Sequence, residues 1–137
     1  MNRTIQNIVV VLVGVVIGGG LNSLLIQFGH LAVPYPEGID MSNPESLAEN
    51  IHLLKPMNYL MVFLAHALGT LIASFIIAKF AASHHYRLAM IPGVLFLIGG
   101  IIMTLVVDAP TWFDATDLLL AYFPMAYLGY TLGRNKK

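Results

Sequence analysis

Four long apolar runs, separated by short polar connections, dominate this chain. The central one, NYLMVFLAHALGTLIASFIIAKFAA from Asn58 to Ala82, is long and apolar enough to cross a bilayer, which takes about 20 apolar residues in a helix. The pattern predicts spans over approximately 7–29, 57–82, 88–107 and 117–133, with a polar outer loop at 30–56. The first run also fits a cleaved signal peptide, with Arg3 before its apolar core and a small-residue cleavage point after Gly20. Its continuation through Leu24, Leu25, Ile26 and Phe28 favours a retained helix.

The loop at 30–56 opens with VPYPEGID, where Pro34, Pro36 and Gly38 predict a non-helical turn region. SNPE follows, with Ser42 and Glu45 at capping-box spacing and Pro44 in the first turn. Leu47, Ile51 and Leu54 recur at helical spacing. A short amphipathic helix from about Pro44 to Leu54 is expected, lying on the membrane or on the ends of the bundle. SHHYR, from Ser83 to Arg87, is a tight return, and His84 and His85 there read as interfacial polar residues. DAPTWFDAT is a second short connection, and Pro124 predicts a kink because it has no amide hydrogen for the carbonyl of Leu120. The expected fold is all-α: a single domain forming an antiparallel four-helix transmembrane bundle, with the amphipathic helix in its first outer loop.

Composition supports a membrane environment. Charged residues make up 10% of the chain, where a soluble domain carries about 25%. The absence of cysteine removes disulfides, thiolate chemistry and cysteine-ligated metals. A formal net charge of zero with no basic stripe excludes nucleic acid as an expected partner. Arg3, Arg87, Arg134, Lys136 and Lys137 fall at one end of the four-helix arrangement, Lys79 lies close to that end, and Lys55 sits opposite. The positive-inside rule then places both termini in the cytoplasm. Glu37, Asp40, Glu45, Glu49, Asp108, Asp114 and Asp117 share the outer side.

Helices in lipid associate by close packing of small residues and by interhelical hydrogen bonds. Such seams run through Gly14, Gly18 and Asn22; through His66, Thr70 and Ser74, flanked by Ala65, Gly69 and Ala73; through Gly93, Gly100 and Thr104; and through Tyr122, Ala126, Gly129 and Gly133. The functional alternative for these small residues is a ligand channel. His66 lies about nine residues into its span, roughly 13 Å below the outer end. Asn22, Thr104 and Tyr122 fall in the same outer half, which predicts a polar layer in which His66 is hydrogen-bonded to at least one of them.

Candidate chemistry is sparse. Ionisable groups inside spans often mark pathways or ligands, which singles out His66, although a buried neutral histidine with one hydrogen-bond partner accounts for it equally. No second histidine follows at i+3 or i+4, so no self-contained metal motif exists on that helix. Asp40, Asp108, Asp114 and Asp117, with His30 and His52 nearby, are candidates for an oxygen-rich cation site, its metal unknown. The competing reading is helix capping, with Asp114 and Asp117 at a helix start and Asp108 in a turn. Lys79 is the one charged residue expected within the spans. Trp112, Phe113, Tyr35 and Tyr59 read as interfacial anchors. No phosphate loop, nucleophile elbow or HExxH motif is present, and no cofactor is expected.

VPYPEGID, FLAHALGT and PTWFDATDLLLAYFPMAYLG together resemble a family of small bacterial four-helix membrane proteins. The resemblance implies a multi-pass inner-membrane protein and brings no activity, cofactor or catalytic residue with it. The leading functional expectation is a non-enzymatic integral membrane protein acting through helix contacts, as a homo-oligomer or as an accessory subunit of a membrane partner. The alternative is a transporter or channel for a small solute or cation, using the outer acidic cluster and the polar layer around His66. A weaker third reading is a membrane enzyme using His66 and an outer aspartate on a lipid-like substrate.

Overall fold

A computed structural model describes residues 2–134 and is helical throughout its ordered elements, with no strand among the described residues. Lys136 and Lys137, counted in the charge asymmetry above, lie outside them. The helices are α1 (Arg3–Phe28), α2 (Pro44–Asn50), α3 (Pro56–Phe80), α4 (His85–Ala89), α5 (Ile91–Val106), α6 (Thr111–Leu120) and α7 (Phe123–Gly133). Three stretches are long and apolar enough to cross a membrane: Arg3–Leu31, Pro56–Phe80 and His85–Val106. Leu105 and Val16 are 81% and 71% exposed on them, and apolar surface of this kind over long helices suits lipid far better than water.

The last region departs from the single helix expected at 117–133. Its helix starts earlier, at Thr111, and is interrupted at Ala121 and Tyr122 before resuming as α7. Pro124 sits at the start of α7, where its missing amide hydrogen costs nothing, whereas inside a continuous helix it would leave Leu120 unserved. The amide of Ala121 still reaches Asp117 O, and the amide of Ala126 takes up Tyr122 O, so the ladder restarts within a few residues. Ala121 and Tyr122 are both buried, which keeps the interrupted backbone inside protein.

Segment 30–56 differs in detail. The cap of α2 is Asn43, whose Oδ1 accepts from the amides of Glu45 and Ser46; Ser42 instead donates to Asp40. Pro44 at the first helical position fixes the cap one residue before it. The helix is shorter than the expected run to Leu54 and ends in a tighter turn over Ile51–Leu53.

α3 is the central element, packed by α1 on one side and α7 on the other. Along α1, Gly14 and Gly18 meet Ile77 and Ala73, so these helices run in opposite directions. Along α7, Gly129 meets Ser74 and Gly133 meets Ala78, so α7 runs parallel to α3. A Cβ at Gly18 would stand 2.6 Å from that of Ala73, and one at Gly129 would stand 2.9 Å from that of Ser74. Backbones this close are what small residues permit.

Polar bonds tie one end of the molecule together. Gln6 Nε2 donates to Phe80 O (3.0 Å), the amide of Ala82 donates to Asn7 Oδ1 (2.8 Å), and Asn7 Nδ2 donates to Ser83 Oγ (3.0 Å). Tyr86 of α4 meets Tyr130 of α7 edge-on at 5.2 Å, with the Arg134 guanidinium over Tyr130. The start of α1, the α3–α4 turn and the end of α7 therefore share this end, and segment 32–55 covers the other. In the turn, His85 reaches back to Ala78 O (3.0 Å) and His84 takes up left-handed backbone, φ 52° and ψ 34°. A branched Cβ is costly there. His84→Val is expected to lower stability by about 1–2 kcal/mol, while His84→Gly holds or raises it; detergent-solubilised unfolding curves of the two variants measure the difference.

Candidate functional site

The principal polar cluster joins α3 to α6 at the break before α7. His66 Nδ1 lies 2.8 Å from Asp117 Oδ1 and 2.9 Å from Oδ2. Tyr122 Oη donates to Asp117 Oδ2 at 2.8 Å and stands 3.1 Å from His66 Nδ1, its ring stacked on the imidazole. Thr70 Oγ1 donates to His66 O, one turn along α3. An ionised carboxylate only accepts, so it draws the imidazole hydrogen onto Nδ1. This network assigns the tautomer. Nε2 remains as the second ring nitrogen.

Local sequence explains the geometry. Starting α6 at Thr111 carries Asp117 past the first turn and into the interior, 4% exposed. The break then turns Tyr122 back toward the same carboxylate. Gly100 of α5 leaves the space: a Cβ there would stand 2.6 Å from the Tyr122 hydroxyl.

His66 and Asp117 line a cavity of about 340 Å³. α1 contributes Asn22, Ser23 and Ile26; α5 contributes Met103 and Thr104, and Val107 follows just past its end. Leu47, Ile51 and Leu54 form its roof. Phe113 and Asp114 of α6 and Tyr59 of α3 complete the wall near the roof. Asn22 Oδ1 is buried with no hydrogen-bond partner among the described residues.

Of the expected polar layer, His66 and Tyr122 are joined directly. Asn22 and Thr104 stand in the wall of the same cavity, where Thr104 Oγ1 donates to Ile101 O on its own helix (2.7 Å). Tyr122 lies behind the wall. Of the four outer carboxylates, Asp108 and Asp117 lie within electrostatic reach of Asp114, and Asp40 stands apart. Asp117, expected at a helix start as a cap, is instead the buried partner of His66, because the helix begins at Thr111. It is also an acidic residue inside the helical packing, whereas Lys79 is the one charged residue expected within the spans. Asp114 occupies the first turn of α6, as capping predicts, and also lines the cavity. Asp108 lies in the α5–α6 connection. Asp40 sits in a different hollow with His30 and Tyr35. The Ser42 amide and hydroxyl both donate to its carboxylate and hold it below the usual carboxylate range. Among the described residues, no three His, Asp or Glu side chains come together as metal ligands.

Tyr59, read as an interfacial anchor, is buried: it donates to Ile51 O (3.1 Å) and packs on Phe113 and on the edge of Trp112. Tyr35 donates to Ile26 O, and burial pushes its phenol up. Sequence reasoning missed the pairing of Asp117 with His66, for which the available signal was Asp117 followed at once by the apolar LLLAYF. Of the two places expected for the segment around α2, on the membrane or on the ends of the bundle, it takes the second, as the cavity's roof.

No protein-family model, curated protein or solved structure matches the chain. The three long apolar helices are consistent with an integral membrane protein.

Proposed function

We propose that this chain is a multi-pass membrane protein that admits a small ligand into the cavity beneath segment 32–55, with His66 as the recognition group. In this reading α6 and α7 together make a fourth, broken crossing, a form found where binding sites lie within the membrane. The bundle then runs up and down four times. Both termini face the cytoplasm, and the roofed end faces outward, following the positive-inside rule. A bacterial inner membrane is the setting implied by the resemblance noted above.

The observation that carries the proposal is the Nδ1 bond from His66 to buried Asp117, made in a cavity wall. A buried carboxylate held by two donors fixes the ring's orientation and tautomer, and the ring so held lines an open space rather than a filled core. The size and mostly apolar lining match small-molecule sites. The helix-contact reading has less to draw on, because Gly14, Gly18, Gly69, Gly93, Gly100, Gly129 and Gly133 are all used within the chain. Gly20 and Gly99 remain uncontacted on the long helices. The transport reading shares the same cavity and adds an exit path, for which no separate feature speaks.

The chain has no cysteine, so single introduced thiols report cleanly. Thr104→Cys lies in the cavity wall, and Leu105→Cys lies on the apolar exterior beside it. A charged, membrane-impermeant thiol reagent added from outside is expected to label the first and spare the second. Equal protection of both removes the water-accessible cavity, and labelling only from the cytoplasmic side reverses the orientation.

A further inference from the structure

We infer that the ligand of this cavity is an amphiphilic ammonium: an apolar body carrying a cationic head with N–H donors. The inference rests on the cavity reading above and adds the chemistry of what enters. Several polar wall groups have their hydrogens already committed elsewhere. His66 spends its Nδ1 hydrogen on Asp117, so Nε2 carries a lone pair whenever the ring is neutral. Thr104 gives its hydroxyl hydrogen to Ile101 O, and Ser42 gives its own to Asp40 Oδ1 at 2.6 Å. Both oxygens are left with lone pairs for the cavity. Asp114 adds a carboxylate, and Asp117 lies beside it in the wall.

Among the described residues, the wall contains no lysine or arginine. An anion would therefore meet carboxylates with no fixed counter-charge, at close range and away from bulk water. A donor-bearing cation meets acceptors at each of these positions. Phe113, next to Asp114 in sequence, and Tyr59, whose ring centroid lies 4.9 Å from that of Phe113, both stand in the wall, and aromatic faces add a further attraction for an ammonium. Ile26, Leu47, Val62, Met103 and Val107 suit an alkyl or aryl body rather than a hydrated metal ion. The same head chemistry is carried by free amphiphilic amines and by the amine of an aminophospholipid.

The test uses the full chain in phosphatidylcholine nanodiscs, with the fluorescence of Trp112, the chain's single tryptophan, as the readout. Trp112 packs on Tyr59 of the wall, with ring centroids 5.6 Å apart. Four probes share one tail: octylammonium, octyltrimethylammonium, octanol and octanoate. Octylammonium is expected to bind at least about tenfold more tightly than each of the others. Thr104→Trp, which fills the cavity, removes the response when read from Tyr59-region accessibility by hydrogen exchange, a measurement independent of the added indole. Asp114→Asn narrows the margin of octylammonium over octanol. If octanol or octanoate matches octylammonium and Thr104→Trp abolishes both, the cavity reading stands and the ammonium assignment is overturned. If no probe is sensitive to Thr104→Trp, the cavity reading itself falls. Phosphatidylethanolamine in the discs separates the two sources: displacement of octylammonium assigns the head to a lipid, and no displacement assigns it to a soluble amine.

Discussion

Asp117→Asn is expected to move the hydrogen of His66 from Nδ1 to Nε2 while leaving the fold in place. In the native site the carboxylate accepts from both His66 and Tyr122. An amide of the same shape has one accepting and one donating end. Its oxygen can keep the Tyr122 hydroxyl, but its NH₂ then faces Nδ1, which must present a lone pair. The ring hydrogen transfers to Nε2 and faces the cavity. All three side chains stay paired, so the stability cost is that of exchanging charge-assisted bonds for neutral ones, about 1–2 kcal/mol. The effect on recognition is larger, because the cavity's central acceptor becomes a donor. Binding of octylammonium is expected to fall at least about tenfold. Asp117→Ala leaves a void as well, with Tyr122 Oη left to turn to Nδ1 at 3.1 Å, and costs about 3 kcal/mol. Nitrogen chemical shifts of the labelled imidazole read the tautomer directly. An unchanged pattern between native protein and Asp117→Asn would refute the assignment.

Gly18→Val and Gly129→Val form the second prediction, and its effect is on the fold. A side chain at Gly18 meets Gly69 O and Ala73 across the α1–α3 contact, and one at Gly129 meets Leu71 O and Ser74 across the α3–α7 contact. The obstacles include backbone, which cannot rotate away as a side-chain tip can. The helices must separate, and every neighbouring contact loosens with them. Each substitution is expected to cost on the order of 3 kcal/mol. Gly20→Val, where nothing lies within 4 Å, should stay within about 0.5 kcal/mol of native. Unfolding in mixed micelles by denaturing detergent measures the set, and equal behaviour of Gly18→Val and Gly20→Val would contradict the packing described.

The long helices are legible in the sequence because length and composition decide them locally. Residues 3–31, 56–80 and 85–106 carry few charges over enough residues, whatever their neighbours are. The grouping of His66 with Tyr122 at a common depth is legible for a related reason, since rise per residue is nearly constant in a helix. Asp117 is not legible in the same way. Three residues after Asp114 and near a polar connection, it has the spacing of a capping residue. Its burial depends on α6 starting at Thr111, which is a property of the backbone around Pro110. The cavity is still further from local pattern. Leu47, Ile51 and Leu54 announce an apolar face, but periodicity cannot say that α1 and α5 leave a space for that face to cover.

Asn58 shows how the roof is fastened. Its Oδ1 accepts from the amide of Lys55, and its Nδ2 donates to Pro34 O at 3.1 Å. One fully buried amide thus clasps both flanks of the intervening stretch, like a buckle closing a strap. Toward α5 the strap makes no hydrogen bond among the described residues and faces it across the apolar cavity lining, whereas unfastening the buckle strands a polar group out of water at once. Loosening of the strap is therefore expected to begin at its α5 margin, with the clasp at the head of α3 still closed.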